Sequence, residues 1–214
     1  MSGAGVFAVV PVKDLRGTKS RLAPILDPCA RAGLTLYMMR RVVKRLIEAE
    51  VDEVRVVDEV CVVSPDGVVL EEAKEIGATP LFQRSEGLNP ALEEGRDFAL
   101  GKGASSLLVV PADLPLVEGE DILALLESAK GSSVAIAPDG AGTGTNALLL
   151  SPPDAIPFLF GPGSFERHAA AARERGLPTE VFGIPRLAFD LDTAEDFARF
   201  DGARTAGMHC EGNL

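Results

Sequence analysis

The chain has 214 residues, 46% of them hydrophobic and 25% charged, and a formal net charge of −11, a balance that marks a soluble globular protein able to bury a core without disulfides or structural metal. The excess of carboxylates excludes a broad nucleic-acid or anionic-membrane surface, since those are bound through basic patches, yet a small anionic ligand needs only a local cluster of cations. No apolar run nears the roughly 18 residues that span a bilayer, and no charged-then-apolar leader opens the chain, so the expected location is the cytoplasm, with neither membrane nor nucleic-acid partners.

In chain order, short β-branched runs alternate with segments of helical period, the pattern of an α/β domain with a largely parallel sheet. A strand over 6–12 opens into "VKDLRGTKSRLAP", which carries Lys13, Lys19, Ser20 and Arg21. A helix is predicted over 28–49, with Asp27 as N-cap, Pro28 in the first turn and Leu34, Met38, Val42 and Leu46 on one face. The near-duplicates "VDEVRV" and "VDEVCV" at 51–62 are too short for a repeat architecture and read as a lengthened second strand, taken over 54–63, or as a β-ribbon. Further strands are predicted over 79–82, 106–110, 133–137, 146–150 and 180–182, and further helices over 90–100, 119–129 and 165–175. A last helix should begin after Asp192 or Thr193. The small, polar residues of 201–214 predict a frayed tail beyond one domain of residues 1–200. Cys29, Cys61 and Cys210 lie far apart with no CxxC or Cys/His spacing, which predicts a reducing compartment and no structural zinc.

Ligands of open α/β sheets bind beyond the carboxyl ends of the strands, so the residues just past each strand are the informative ones. The basic loop after the first strand is either a solvated loop or a clamp for a polyphosphate; it lacks both the Walker and the GxGxxG glycine patterns. "VVPADLP" leaves Asp113 at a strand end between two prolines, where it either caps a helix or holds a divalent cation over phosphates. "FDLD" places Asp190 and Asp192 on one side of an extended segment, where they either share a cation or divide into a cap and a solvated group. "PDGAGTGTN" and "FGPGSFERH" offer Thr143, Thr145, Gly161, Gly163 and Ser164 near flexible turns and a helix entrance, suited to oxyanions or simply to turn and cap roles. Asn89 before Pro90 reads as an N-cap or a nucleoside contact. His168 reads as a surface or packing residue, His209 and Cys210 as non-functional, and no Ser/His/Asp triad is suggested.

Together "VPVKDLRGTKSRLAP", "VVSPD", "GLNPAL", "VVPADLPLV", "DGAGTGTNALLLSPP", "FGPGSFERHAAAARERGLP" and "LAFDLDTAEDFARF" resemble, in this order, the 2-phospho-L-lactate guanylyltransferase family, some of whose members use phosphoenolpyruvate and which makes the GDP-linked precursor of coenzyme F-420. The resemblance spans residues 6 to about 200. It implies a three-layer Rossmann-like nucleotidyltransferase fold, Mg²⁺, GTP and a three-carbon phosphate acceptor as partners, and a homodimer as a reasonable assembly. By matching motif, Thr145, Gly161 and Ser164 would bind phosphoenolpyruvate or phospholactate. Asp113, Asp190 and Asp192 would ligate the metal, Lys13, Lys19, Ser20 and Arg21 would face the GTP phosphates, and Ser64, Asp66 and Asn89 would contact the nucleoside. The rivals are a nucleotidyltransferase of the same fold acting on a sugar phosphate or molybdopterin-type acceptor, and a non-catalytic nucleotide-binding domain.

Overall fold

The β-branched run that opens the chain forms β1 (Gly5–Pro11). In the computed structural model, which describes residues 5–200, β1 becomes an interior strand of a seven-stranded sheet. Next along the chain are α1 (Pro28–Ile47), β2 (Glu50–Val51), β3 (Val54–Arg55), β4 (Glu59–Ser64), α2 (Gly67–Glu75), β5 (Thr79–Phe82), α3 (Leu88–Gly101) and β6 (Ala104–Val109). After them come α4 (Gly119–Ser128), β7 (Val134–Pro138), β8 (Thr145–Leu150), α5 (Ser164–Glu174), β9 (Thr179–Val181) and α6 (Ala194–Arg199).

Alternation along the strands builds two cores and hence three layers. Ala8 and Val10 of β1 pack with Met39, Val42 and Leu46 of α1, Val69 of α2 and Ile122 of α4. Phe7 and Val9 face the other way, against Ala91 and Leu92 of α3 and Ala172 of α5. Each fully buried Leu, Met or Val side chain contributes roughly 1.5–3 kcal/mol. α1 starts as its sequence dictates: the Asp27 carboxylate accepts from the Ala30 amide at 2.8 Å, Pro28 occupies the first turn, and Lys44 and Arg45 sit in the last, where cations suit the helix dipole. No helix among the described residues is long and apolar enough to cross a membrane.

The sheet order is β5-β4-β1-β6-β8-β7-β9. β5, β4, β1 and β6 run parallel, β7 and β9 are parallel to each other, and β8 is antiparallel to both of its neighbours. The chain leaves β1 towards β4 and β5, then returns through α3 to β6 on the other side of β1, which makes the β1/β6 crevice a topological switch point. Because β8 alone is reversed, its first residues lie at the same edge of the sheet as the ends of β1 and β6.

Two element predictions need correction. The lengthened strand expected over 54–63 is divided, and the alternative, a β-ribbon, forms in its first part. Asp52 and Glu53 adopt φ of 50° and 64°, the two left-handed residues of a tight hairpin turn, so the first VDEV makes the β2/β3 ribbon and only Glu59–Ser64 enters the main sheet. The helix expected from 90 starts at Leu88, and its N-cap is Gly87, at φ 102°, instead of Asn89. The tail over 201–214, with His209 and Cys210, lies outside the described residues; Cys61 is a buried free thiol.

α3 crosses β1 closely at one position: a Cβ built on Gly95 would stand 2.8 Å from Val9 Cγ1 and 3.3 Å from Val63 Cγ2. Gly95→Ala should therefore cost about 1–3 kcal/mol of overpacking despite the better helix propensity of alanine. Urea denaturation should show this loss, and show it shrinking when Val9→Ala makes room.

Candidate active site

The basic loop is shaped by short-range bonds that leave one lysine facing inward. After β1 the chain makes two 3₁₀ turns, Leu15–Gly17 and Ser20–Leu22. Leu15 N–H donates to Asp66 Oδ2 at 3.0 Å, and Arg31 of α1 donates to the carbonyls of Thr18 and Leu26 at 3.2 and 2.9 Å. The Thr18 and Thr35 hydroxyls meet at 2.9 Å. Leu22 is fully buried in a small cluster with Leu34, Met38, Leu191 and Phe200, which pins the second turn. Between the turns Lys19 takes a left-handed conformation, φ 47°, and its side chain, 8% exposed, reaches into the β1/β6 crevice.

There Lys19 Nζ donates to Asp113 Oδ2 at 3.0 Å and to Asp192 Oδ1 at 2.6 Å. Burial works against the ammonium, but Asp113 and Asp192 outweigh it and lift its pKa above the ordinary lysine value, so Lys19 is charged at neutral pH. Arg21 stands at the rim, with Nη1 3.9 Å from Asp192 Oδ2. Asp190 lies alongside, accepting from Asn146 Nδ2 at 3.4 Å; burial, and then the neighbouring Asp113, push its pKa up. The cap of α6 is Thr193, which forms a reciprocal pair with Asp196 and leaves the Asp192 carboxylate for Lys19. Of the expected trio of carboxylates, Asp113 and Asp192 thus hold an ammonium between them, and Asp190 is bonded to Asn146. Among the described residues no group of three or more His, Cys, Asp or Glu is placed to hold a metal ion unaided.

These groups line a cavity of about 540 Å³. Its walls are the basic loop from Lys13 and from Gly17 to Arg21, the β6 end with Asp113, the β8 start with Thr145 and Asn146, Gly161 and Ser164 before and at the start of α5, and Asp190 and Asp192. Thr145 and Ser164 are 6% and 2% exposed. A Cβ at Gly144 would lie 2.5 Å from Asp139 Oδ2 in the turn that delivers Thr145, so a larger residue there would displace the Asp139 side chain. Thr143 is spent within that turn, its N–H on Asp139 Oδ1 at 2.8 Å.

Ser64, Asp66 and Asn89 are absent from the lining of this cavity. Ser64 is buried and its hydroxyl accepts from Asp66 N–H; the Asp66 carboxylate caps α2 and holds Leu15. Asn89 brackets Phe160, accepting its N–H at 2.9 Å and donating to its carbonyl at 3.2 Å. Their neighbours line a second cavity of about 380 Å³, which shares Lys13 and Leu88 with the first and is walled by Pro65 and residues Gln83 to Gly87. Sequence reasoning missed Gln83, Arg84, Ser85 and Glu86; the glycine before "LNP" was the available signal for a loop. It also missed His168, which is fully buried and hydrogen-bonded to Thr145.

Two adjoining cavities at a switch point, one lined by cations, carboxylates and hydroxyls, suit a nucleotide and a small anionic co-substrate. Residues 6–202 match the family model described as "Guanylyl transferase CofC like". The phosphoenolpyruvate guanylyltransferase of Rubrobacter xylanophilus is 57% identical over 199 residues, covering 92% of this chain and 94% of the relative. The 2-phospho-L-lactate guanylyltransferase of Methanothermobacter thermautotrophicus is 39% identical over 190 residues, 88% and 81% of the two chains. A solved nucleotidyl transferase from Methanothermobacter thermautotrophicus superposes with a TM-score of 0.70 at 21% identity over 97% of this chain and 100% of that one, which establishes the shared fold. The chain belongs to the CofC-like guanylyl transferase family and is a nucleotidyltransferase.

Proposed function

We propose that this enzyme transfers GMP from GTP to phosphoenolpyruvate with release of pyrophosphate, in the cytoplasm, giving the GDP-linked precursor of coenzyme F-420. The observation that carries this reading is the single cavity in which Lys19, held by Asp113 and Asp192, faces Thr145 and Ser164. The names of the relatives point to the same chemistry, and phosphoenolpyruvate is the acceptor named for relatives at 57% and 46% identity. 2-Phospho-L-lactate, named for a relative at 39%, is the second acceptor to test.

In this reading the guanosine occupies the cavity between Pro65 and Gly87, Lys13 lies at the junction, and the triphosphate runs along the basic loop. Thr145, Gly161 and Ser164 hold the acceptor. An oxygen of the acceptor phosphate attacks the α-phosphorus; a new P–O bond forms as the bond to the β-phosphate bridge breaks, and pyrophosphate leaves. The acceptor is already an anion at neutral pH, so no general base is needed. Positioning and charge neutralisation by Lys13, Lys19 and Arg21 provide the acceleration.

The cation we propose for this site is Mg²⁺. Asp113, Asp190 and Asp192 bring more negative charge than Lys19 offsets, and Asp190 is pushed towards protonation by burial and by Asp113. Such oxygen donors suit a hard cation that takes one or two carboxylates together with substrate phosphates. When bound, the ion would withdraw charge from the phosphate oxygens.

Pyrophosphate release, measured with GTP or ATP and with either acceptor, tests the reading: turnover should require GTP and phosphoenolpyruvate, stop on chelation and return with Mg²⁺. Release that ignores both acceptors would overturn it. Asp113→Asn should cut turnover by at least about a hundredfold with the circular dichroism spectrum unchanged, and near-normal turnover would remove Asp113 from the site. Ser164→Ala should raise the acceptor KM by about tenfold and leave the GTP KM alone; the reverse pattern contradicts its placement.

A further inference from the structure

His168 sits one turn into α5, fully buried, and its ring spans two parts of the site. Nε2 lies 2.9 Å from the Leu159 backbone nitrogen. A backbone N–H only donates, so Nε2 accepts and carries no proton. Burial, and then Arg167, lower the pKa of the ring to about 4, which keeps it neutral, and a neutral imidazole with a bare Nε2 has its proton on Nδ1. Nδ1 is 3.0 Å from Thr145 Oγ1; the ring donates there and the hydroxyl accepts. With its oxygen committed to the ring, the Thr145 hydroxyl has its own proton left to donate, and Thr145 lines the cavity.

We infer that His168 is a positioning residue that keeps the Thr145 hydroxyl proton off the ring and available to the acceptor's oxyanion. This rests on the reading of Thr145 as an acceptor-binding group. A free threonine hydroxyl is a rotor that donates or accepts; the Leu159 amide, acting through the tautomer of the ring, fixes the direction of the Thr145–His168 bond and leaves the hydroxyl proton for another partner. The same ring ties the β8 start to the loop before α5, where Phe160 meets it edge-on, ring centroids 4.9 Å apart, and is itself clamped at both backbone groups by Asn89. Thr145 from β8 and Gly161 from the loop therefore keep their spacing through His168. The ring's hydrogen bonds go to Thr145 and Leu159 and to none of Asp113, Asp190 and Asp192, so its effect should fall on the acceptor.

The first test is the tautomer, read by nitrogen-15 NMR on the histidine-labelled full-length protein, with His209→Gln assigning the signal of His168. A neutral ring protonated at Nδ1 is expected at pH 7; a proton on Nε2, or an imidazolium, overturns the role of His168. The second is a double-mutant cycle. Thr145→Val should raise the acceptor KM by about tenfold with the GTP KM unchanged, His168→Leu should move it in the same direction, and the double variant should fall well short of the sum of the two effects, the remainder being the loss of Gly161 spacing. Additive effects, or a His168→Leu effect on the GTP KM, overturn the inference. An unchanged acceptor KM in Thr145→Val overturns the acceptor reading of that residue, a failure separable from that of the tautomer. Should His168→Leu not fold, the NMR result on the unmutated ring decides.

Discussion

The buried ammonium of Lys19 is the constraint around which the rest of the site is arranged. Taking an unpaired ammonium out of water costs several kcal/mol, and holding a non-glycine residue left-handed costs roughly 1–3 kcal/mol more. Both are met because Asp113 and Asp192, 94 and 173 residues away in sequence, close on the same nitrogen. The loop after β1, the end of β6 and the segment before α6 can reach their positions only together. The Leu22 cluster with Leu34, Met38, Leu191 and Phe200 supplies the apolar part of the same closure. The arrangement also keeps the carboxylates near a cation.

The second organising feature is the direction of β8. Six strands running one way would bring only their carboxyl ends to the ligand edge. Reversing β8 brings an amino end there as well, so Thr145 and Asn146 arrive beside Asp113 and the basic loop. The pleat then sends their side chains to opposite faces: Thr145 to His168, and Asn146 to the Leu187 carbonyl and Asp190. One dipeptide thus links the hydroxyl side of the cavity to the carboxylate side.

Much of the cavity lining was legible in the sequence because its polar residues lie just past strand ends, where neither core packing nor helix period explains them. Lys13, Lys19, Ser20, Arg21, Asp113, Thr145, Gly161, Ser164, Asp190 and Asp192 do line one cavity. The less legible residues have side chains that hold neighbouring segments. Asn89 looks like a cap, yet Gly87 takes that position and the Asn89 amide serves the Phe160 backbone. Ser64 and Asp66 sit beside the second cavity while their side chains hold α2 and Leu15. The first VDEV betrays no turn by composition, since Asp and Glu lack the freedom of glycine; its left-handed pair is visible only in the backbone.

By itself the sequence determined the alternation of strands and helices, the caps and apolar faces, and the local concentration of cations in an acidic chain, because these depend on neighbours within a few turns. Its ordered motifs also determined the family. Only the tertiary structure decided which charges meet: that Lys19 stands between Asp113 and Asp192, that Thr193 frees Asp192 by taking the cap, and that a histidine with no neighbouring motif reaches the Thr145 hydroxyl. Those are contacts across many tens of residues, set by strand order, the reversal of β8 and the burial that makes an unpaired charge too costly to leave alone.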